Sequence, residues 1–138
     1  MAQILAIDYG KARCGIAATD ELQIIASGLE TVKTPIVIDF LKSYFQFNKV
    51  ETIVIGQPMD LRGNMSEVEG DILKFIEVLK KEFPTIQIDR FDERFTSKMA
   101  SYFISQSGKS KKQREKKELI DLVSATIILQ NYLEYKQR

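Results

Sequence analysis

The chain contains no histidine and no tryptophan, and only one cysteine and three prolines among its 138 residues. Without histidine, every mechanism that uses imidazole as base, nucleophile or zinc ligand is excluded. Any catalysis must run on carboxylates, amines, hydroxyls or a bound metal. The lone Cys14 has no partner for an internal disulfide, and its place in an apolar run makes it a small buried hydrophobe, at home in a reducing compartment. No apolar run is long enough to cross a membrane. The first ten residues also lack a basic segment ahead of their apolar stretch, and Asp8 interrupts that stretch early. A cytoplasmic protein with no membrane partner is expected.

What the chain does have is the composition of one soluble domain, residues 1–138, with 44% hydrophobic and 28% charged residues. That is enough apolar material for a genuine core. The net charge of +1 conceals an asymmetry: residues 90–117 hold nine Lys or Arg against three acids, so the remainder is net negative. Within that stretch, residues 108–117 (Gly-Lys-Ser-Lys-Lys-Gln-Arg-Glu-Lys-Lys) have too few apolar side chains to pack and are expected to form a mobile basic loop. Such a loop is either a solvated linker or a contact to a phosphate backbone.

The apolar pattern predicts strands at about residues 3–8, 13–19 and 23–33, joined by the short turns Tyr9-Gly10-Lys11 and Thr19-Asp20-Glu21 as antiparallel hairpins. Thr34 as N-cap with Pro35 in the first turn predicts a helix to about residue 47. Thr52-Ile-Val-Ile-Gly56 is a short continuous apolar run suited to a strand covered on both faces. Ser66 and Glu69 have capping-box spacing ahead of the stripe Val68, Ile72, Phe75, Ile76, Leu79 and Phe83, which stops before Pro84. A strand at residues 85–91, a short helix at 96–106 and a long helix at 118–135 complete the chain. The order predicts an α/β fold: a mixed five-stranded sheet in the order 3-2-1-4-5, whose first three strands form an antiparallel meander, with helices on both faces.

Three carboxylates stand out against this pattern. Asp8 ends the apolar run Gln-Ile-Leu-Ala-Ile-Asp8, Glu93 sits in Asp92-Glu93-Arg94, and Asp121 lies among Leu119, Ile120, Leu122 and Val123. A buried carboxylate costs several kcal/mol unless a cation, hydrogen bonds or protonation compensate it. Three of them in one small domain suggest a shared divalent-metal cage. The small residues Ser124 and Ala125 predict an open helix face beside Asp121. In open α/β sheets ligands collect beyond the carboxyl ends of the parallel strands, where Asp8, Gln57-Pro58 and Glu93 all fall. Taken singly, each motif also has a bland reading. Asp8-Tyr9-Gly10 could be an Asp-stabilised turn, Gly56-Gln57-Pro58 a strand exit, Asp92-Glu93-Arg94 a surface cluster or helix cap, and Asp121 a paired buried acid.

Together, Ile7-Asp8-Tyr9-Gly10 with Arg13 and Gly15-Ile-Ala-Ala-Thr-Asp20, then Val54-Ile-Gly56-Gln-Pro58 with Gly63, then Asp92-Glu93-Arg94-Phe-Thr96, then Lys116-Lys-Glu-Leu-Ile-Asp121-Leu-Val-Ser-Ala125 with Ile128-Leu-Gln130, resemble the YqgF or RuvX family. Its members are described as pre-16S ribosomal RNA nucleases or as Holliday-junction-resolvase-like, within the RNase H-like superfamily. The resemblance spans nearly the whole chain. Gln57 departs from it, standing where many members carry an apolar residue, as do Cys14 and Ser124, which replace commoner small or aliphatic residues. It implies an RNase H-like nuclease with Asp8, Glu93 and Asp121 as acidic triad and metal ligands, acting with Mg²⁺ or Mn²⁺ on structured nucleic acid. Precursor ribosomal RNA or branched DNA is the implied substrate, pre-ribosomal particles a possible setting, and a monomer or weak homodimer the expected state.

That chemistry needs no histidine, because hard cations held by carboxylates can both generate the attacking hydroxide and stabilise the leaving oxygen. Asp8, on the central strand, is the expected bridging ligand, with Glu93 and Asp121 each completing the shell of one ion. Arg13, Arg94 and the loop lysines Lys111, Lys112, Lys116 and Lys117 are expected to hold phosphates. Alternatives are a Holliday junction resolvase or a non-catalytic RNA-binding ribosome-assembly module. The actin-like ATPases share the Asp-Tyr-Gly hairpin, but they clamp nucleotide between two such domains and this chain has length for one.

Overall fold

A computed structural model describes residues 2–58, 67–92 and 113–136, with side chains from residue 119 onward in the last segment. Its centre is the strand β1 (Gln3–Asp8), whose residues Ile4, Leu5, Ala6 and Ile7 are all fully buried. Both faces of this strand are covered. Antiparallel β2 (Arg13–Thr19) lies on one side of it and parallel β4 (Val50–Gln57) on the other; β3 (Ala26–Lys33) and β5 (Gln87–Asp92) follow outside them. The order β3-β2-β1-β4-β5 is the expected 3-2-1-4-5, with the expected meander and parallel crossovers.

Period-two alternation divides the sheet into two cores. Leu5, Ile7, Cys14, Ile16, Ile53 and Ile55 face helices α1 (Val37–Phe45) and α2 (Glu69–Glu82) through Leu41, Ile72, Ile76 and Leu79. Ile4, Ala6, Ala17 and Val54 face the long terminal helix α3 (Gln113–Lys136) through Ala125, Ile128, Leu129, Tyr132 and Leu133. Continuous apolar runs in β1 and β4 follow from burial on both sides. By the same alternation Asp8, in phase with Ile4 and Ala6, belongs to the α3 face.

Several local expectations change. Strand β3 starts at Ala26 rather than residue 23, because the Asp20 carboxylate accepts the amide hydrogens of Ile24 (2.8 Å) and Ile25 (2.9 Å) and so lengthens the turn. Gln23 takes a left-handed φ of 59° there. Thr34 does not cap a helix. Its hydroxyl donates to the Gly10 carbonyl at 2.6 Å, and a 3₁₀ turn, Thr34–Ile36, precedes α1. Helix α2 begins at Glu69, without a side-chain cap, and the Glu69 carboxylate goes to Arg90 instead of closing a capping box; Ser66 lies outside the described residues. Helix α3 begins at Gln113, so the last five residues of the expected basic loop are helical. The rest of that segment and the expected helix at 96–106 lie outside the described residues.

Candidate active site

Asp8 ends β1 at the carboxyl edge of the parallel strands, level with Gly15 of the antiparallel neighbour β2. The turn behind it is fixed from below. Thr34 Oγ1 and the Cys14 thiol both meet the Gly10 carbonyl, and the Thr34 amide donates to Ala12 at 3.1 Å. A Cβ on Gly10 would lie 2.5 Å from the Arg13 carbonyl oxygen, so only glycine closes this turn. The Asp-Tyr-Gly motif is therefore a built loop that ends the strand sharply and leaves the carboxylate at its rim.

Asp121 arrives from the other end of the chain because Gly15 has no side chain. A Cβ there would fall 2.0 Å from the Asp121 carbonyl oxygen, so α3 touches β2 backbone to backbone at this point. Ser124 and Ala125, one turn on, are buried at 1% and 0% exposure. The helix face beside Asp121 is thus closed against the protein rather than open, since small residues let the helix come close. Among the described residues the hydroxyl of Ser124 has no hydrogen-bond partner, which is costly for a buried polar atom.

The two acids are near enough to feel each other. Burial, and secondarily the charge of Asp121, push the Asp8 carboxyl up to about 7. Asp8 keeps a partial opening to solvent, so the crowding of neighbouring protein atoms rather than complete enclosure accounts for the shift. Arg13 is the first residue of β2. Its Nε donates to Asp121 Oδ2 at 2.9 Å, with both side chains about a third exposed. Among the described residues Arg13 is held by an acid of the site.

Glu93 follows directly on the last residue of β5, but it and Arg94, Lys111 and Lys112 lie outside the described residues, as do the side chains of Lys116 and Lys117. Among the described residues no group of three Asp, Glu, Cys or His side chains lies close enough to hold a metal ion. The structure brings together Asp8, Asp121 and Arg13. Paired hard oxygen donors that repel each other suit a small divalent cation that keeps several of its waters, which is the coordination habit of Mg²⁺.

Sequence reasoning missed Arg90. Its guanidinium forms a two-pronged pair with Glu69, 2.8 and 2.7 Å, and donates to the carbonyls of Ile55 and Gly56 at 3.2 Å each. Glu69 is only 5% exposed. Arg90 thereby ties β5 to the end of β4 and to the first residue of α2, bracketing the connection that starts with Gln57-Pro58. The available signal was an arginine between Ile88 and Phe91 in a strand, where a cation needs a partner.

A five-stranded 3-2-1-4-5 sheet with an antiparallel meander and parallel crossovers, flanked by helices, is an RNase H-like fold. The fold matches that of Thermus thermophilus RuvC in complex with a Holliday junction substrate, with a TM-score of 0.59, 17% identity, and 99% of this chain and 96% of that one covered. A second Thermus thermophilus RuvC structure gives a TM-score of 0.54 at 16% identity, covering 98% and 96%. Residues 2–135 match the family described as "RuvX: Holliday junction resolvase". The chain belongs to the RuvX family. It is 53% identical over 137 residues to a Flavobacterium johnsoniae protein named "Putative pre-16S rRNA nuclease", with 99% of each chain covered. It is 47% identical over 137 residues to a protein of the same name from Phocaeicola vulgatus, again with 99% of each covered. Among the described residues no helix is long and apolar enough to cross a membrane.

Proposed function

We propose that the protein is a cytoplasmic, divalent-metal-dependent endonuclease that cleaves phosphodiester bonds of structured RNA, processing the 5′ end of precursor 16S ribosomal RNA during ribosome biogenesis. The observation that carries this reading is the meeting of Asp8 and Asp121 at the carboxyl end of the central strand. Glu93, next after β5, completes the acidic triad. Asp8 would be shared between two Mg²⁺ or Mn²⁺ ions, with Glu93 and Asp121 each serving one. Bound there, the cations would supply a hydroxide nucleophile at neutral pH and charge stabilisation for the leaving oxygen.

The chain's own residues do the rest. Asp8, with its proton held up to about pH 7, must give up that proton to become a ligand, so metal uptake is coupled to proton release. Arg13 pairs with Asp121 in the free protein, and its planar fork would be available to a substrate phosphate when Asp121 serves a cation. Arg94 and Lys111, Lys112, Lys116 and Lys117 would contact phosphates of the substrate backbone. A monomer or weak homodimer suffices for this arrangement.

The second reading, cleavage of branched DNA, is favoured by the description of the family and by the RuvC fold. Purified protein incubated with labelled precursor ribosomal RNA, single strands and four-way junctions, in Mg²⁺, Mn²⁺ or chelator, decides between them. Metal-dependent cleavage of the ribosomal precursor supports the proposal. Cleavage of junctions alone moves it to a resolvase, and binding without cleavage under every condition reduces it to an assembly module.

A further inference from the structure

A hollow of about 200 Å³ opens beside the last turns of α3, lined by Phe91, Asn131, Glu134 and Tyr135. None of these residues takes part in the site above. Phe91 stands on β5 directly opposite Gly56 of β4, while Ile55 is opposite Ile7 of β1. Asp8, Gly56 and Phe91 therefore lie at one level on three neighbouring strands, about 10 Å from first to last at the usual spacing between strands. Phe91 also packs on the α3 side of the sheet, the side to which Asp8 belongs. Phe91 thus stands on the level of Asp8, and the other walls follow Asp121 along α3 by 10 to 14 residues, roughly 15–21 Å of helix.

Two of the hollow's four walls, Phe91 and Tyr135, are aromatic, and Phe91 is held in place by Tyr132 behind it. Tyr132, 4% exposed, donates its hydroxyl to Asp89 and meets the Phe91 ring nearly at right angles, 87° at 6.2 Å. Lys136 places its ammonium 5.7 Å from the centre of the Tyr132 ring. The outer wall is Tyr135, whose ring lies 6.1 Å from that of Phe91 and which is 66% exposed. One edge of Tyr135 meets Phe91 while most of the ring stays open, and an open aromatic ring is the kind of surface on which unstacked bases stack. The volume points the same way, being below the roughly 300–1,000 Å³ of pockets for larger small molecules.

We propose that this hollow receives one unstacked nucleobase of the substrate strand, stacked on Tyr135 with Phe91 as its back wall; the proposal rests on the nuclease reading above. Lys136 offers the adjoining phosphate its charge. Glu134, when ionised, can accept a hydrogen bond from whichever donor a base turns to it, the exocyclic amino group of cytosine or the N3–H of uracil, so it tolerates either. Its negative charge would repel a phosphate, which orients the base rather than the backbone into the hollow.

The test is binding of full-length protein to single-stranded oligocytidylate and oligouridylate of equal length, in chelator so that nothing is cut. Wild type is expected to bind both, since stacking tolerates any base. Tyr135→Ala should lose about tenfold in affinity for each, the scale of one base–aromatic stack. Tyr135→Phe should retain the affinity. Tyr135 is exposed, so melting temperatures should coincide. With no tryptophan in the chain, quenching of tyrosine fluorescence gives a second readout that Tyr135→Ala should diminish. If Tyr135→Ala matches wild type in affinity and quenching, the hollow is not a base site, although the nuclease reading stands. If wild type binds neither RNA in chelator nor cleaves any substrate in metal, the nuclease reading fails and takes the hollow with it.

Discussion

Arg13 Nε donates to Asp121 Oδ2 at 2.9 Å, joining the first residue of β2 to the terminal helix across 108 positions of sequence. A guanidinium therefore neutralises an acid for which a metal ion would compete. Arg13→Gln should tighten Mg²⁺ or Mn²⁺ binding to the nucleic-acid-free protein and weaken RNA binding. Because the pair is partly exposed, the metal-free variant should lose only about 1 kcal/mol of stability. Isothermal titration with Mn²⁺ checks this; weaker metal binding by the variant would show that the arginine supports the site rather than competing for it.

The acidic triad should behave as one unit, since a shared site loses its function with any ligand. Asp8→Asn, Glu93→Gln and Asp121→Asn should each abolish cleavage while circular dichroism reports an intact fold. Near-normal turnover in any two of them at saturating Mg²⁺ would overturn the assignment.

The Asp8 carboxyl fixes the sign of a pH effect. Its folded value of about 7 lies above the ordinary 3.8, so the folded protein keeps a proton that the unfolded chain releases. Ionising it costs the folded state nothing below about pH 4 and progressively more up to about pH 7, a few kcal/mol at most. Metal-free protein should melt lower at pH 8 than at pH 5. Asp8→Asn, or millimolar divalent ion, should flatten that dependence, and a wild-type slope identical to that of the variant would count against a strained Asp8.

Arg90 and Glu69 form the buried ion pair of the α2 side. Removing one partner strands the other charge, so Glu69→Ala should cost about 3–5 kcal/mol in urea unfolding. Glu69→Gln, which still accepts a hydrogen bond, should cost less. Equal stability of Glu69→Ala and wild type would mean that water solvates Arg90 freely.

Neutralising Lys111, Lys112, Lys116 and Lys117 together should weaken nucleic-acid binding and flatten its salt dependence, by about 0.7 to 0.9 in the log–log slope for each phosphate that no longer meets a lysine. The start of α3 at Gln113 puts the backbone of Lys116 and Lys117 about one turn ahead of Asp121. Titrations of labelled RNA at several salt concentrations check this. Parallel slopes with equal affinities would remove these lysines from the interface.

The amino-acid sequence by itself determined the five strands, the strand order and the place of Asp8 at the end of β1, and the kind of each described helix though not its start. Hairpin-length turns impose antiparallel neighbours, crossovers impose parallel ones, and the apolar runs in β1 and β4 record burial on both faces; each is a short-range signal. It also marked Asp121 as an acid in an apolar helix, but read the small residues beside it as an opening. Only the tertiary structure decided that these residues close the helix onto Gly15, because what fills the space beside Ser124 depends on a strand over a hundred positions away. The same holds for the Thr34 hydroxyl, taken by Gly10 instead of a helix end, and for the Glu69 carboxylate, taken by Arg90 instead of a capping box. A local rule names the nearest partner that a polar group could use. Which partner it takes is settled by the packing of distant elements, where a charge pair that loses its water gains more from a fitted counter-ion than from an adjacent amide.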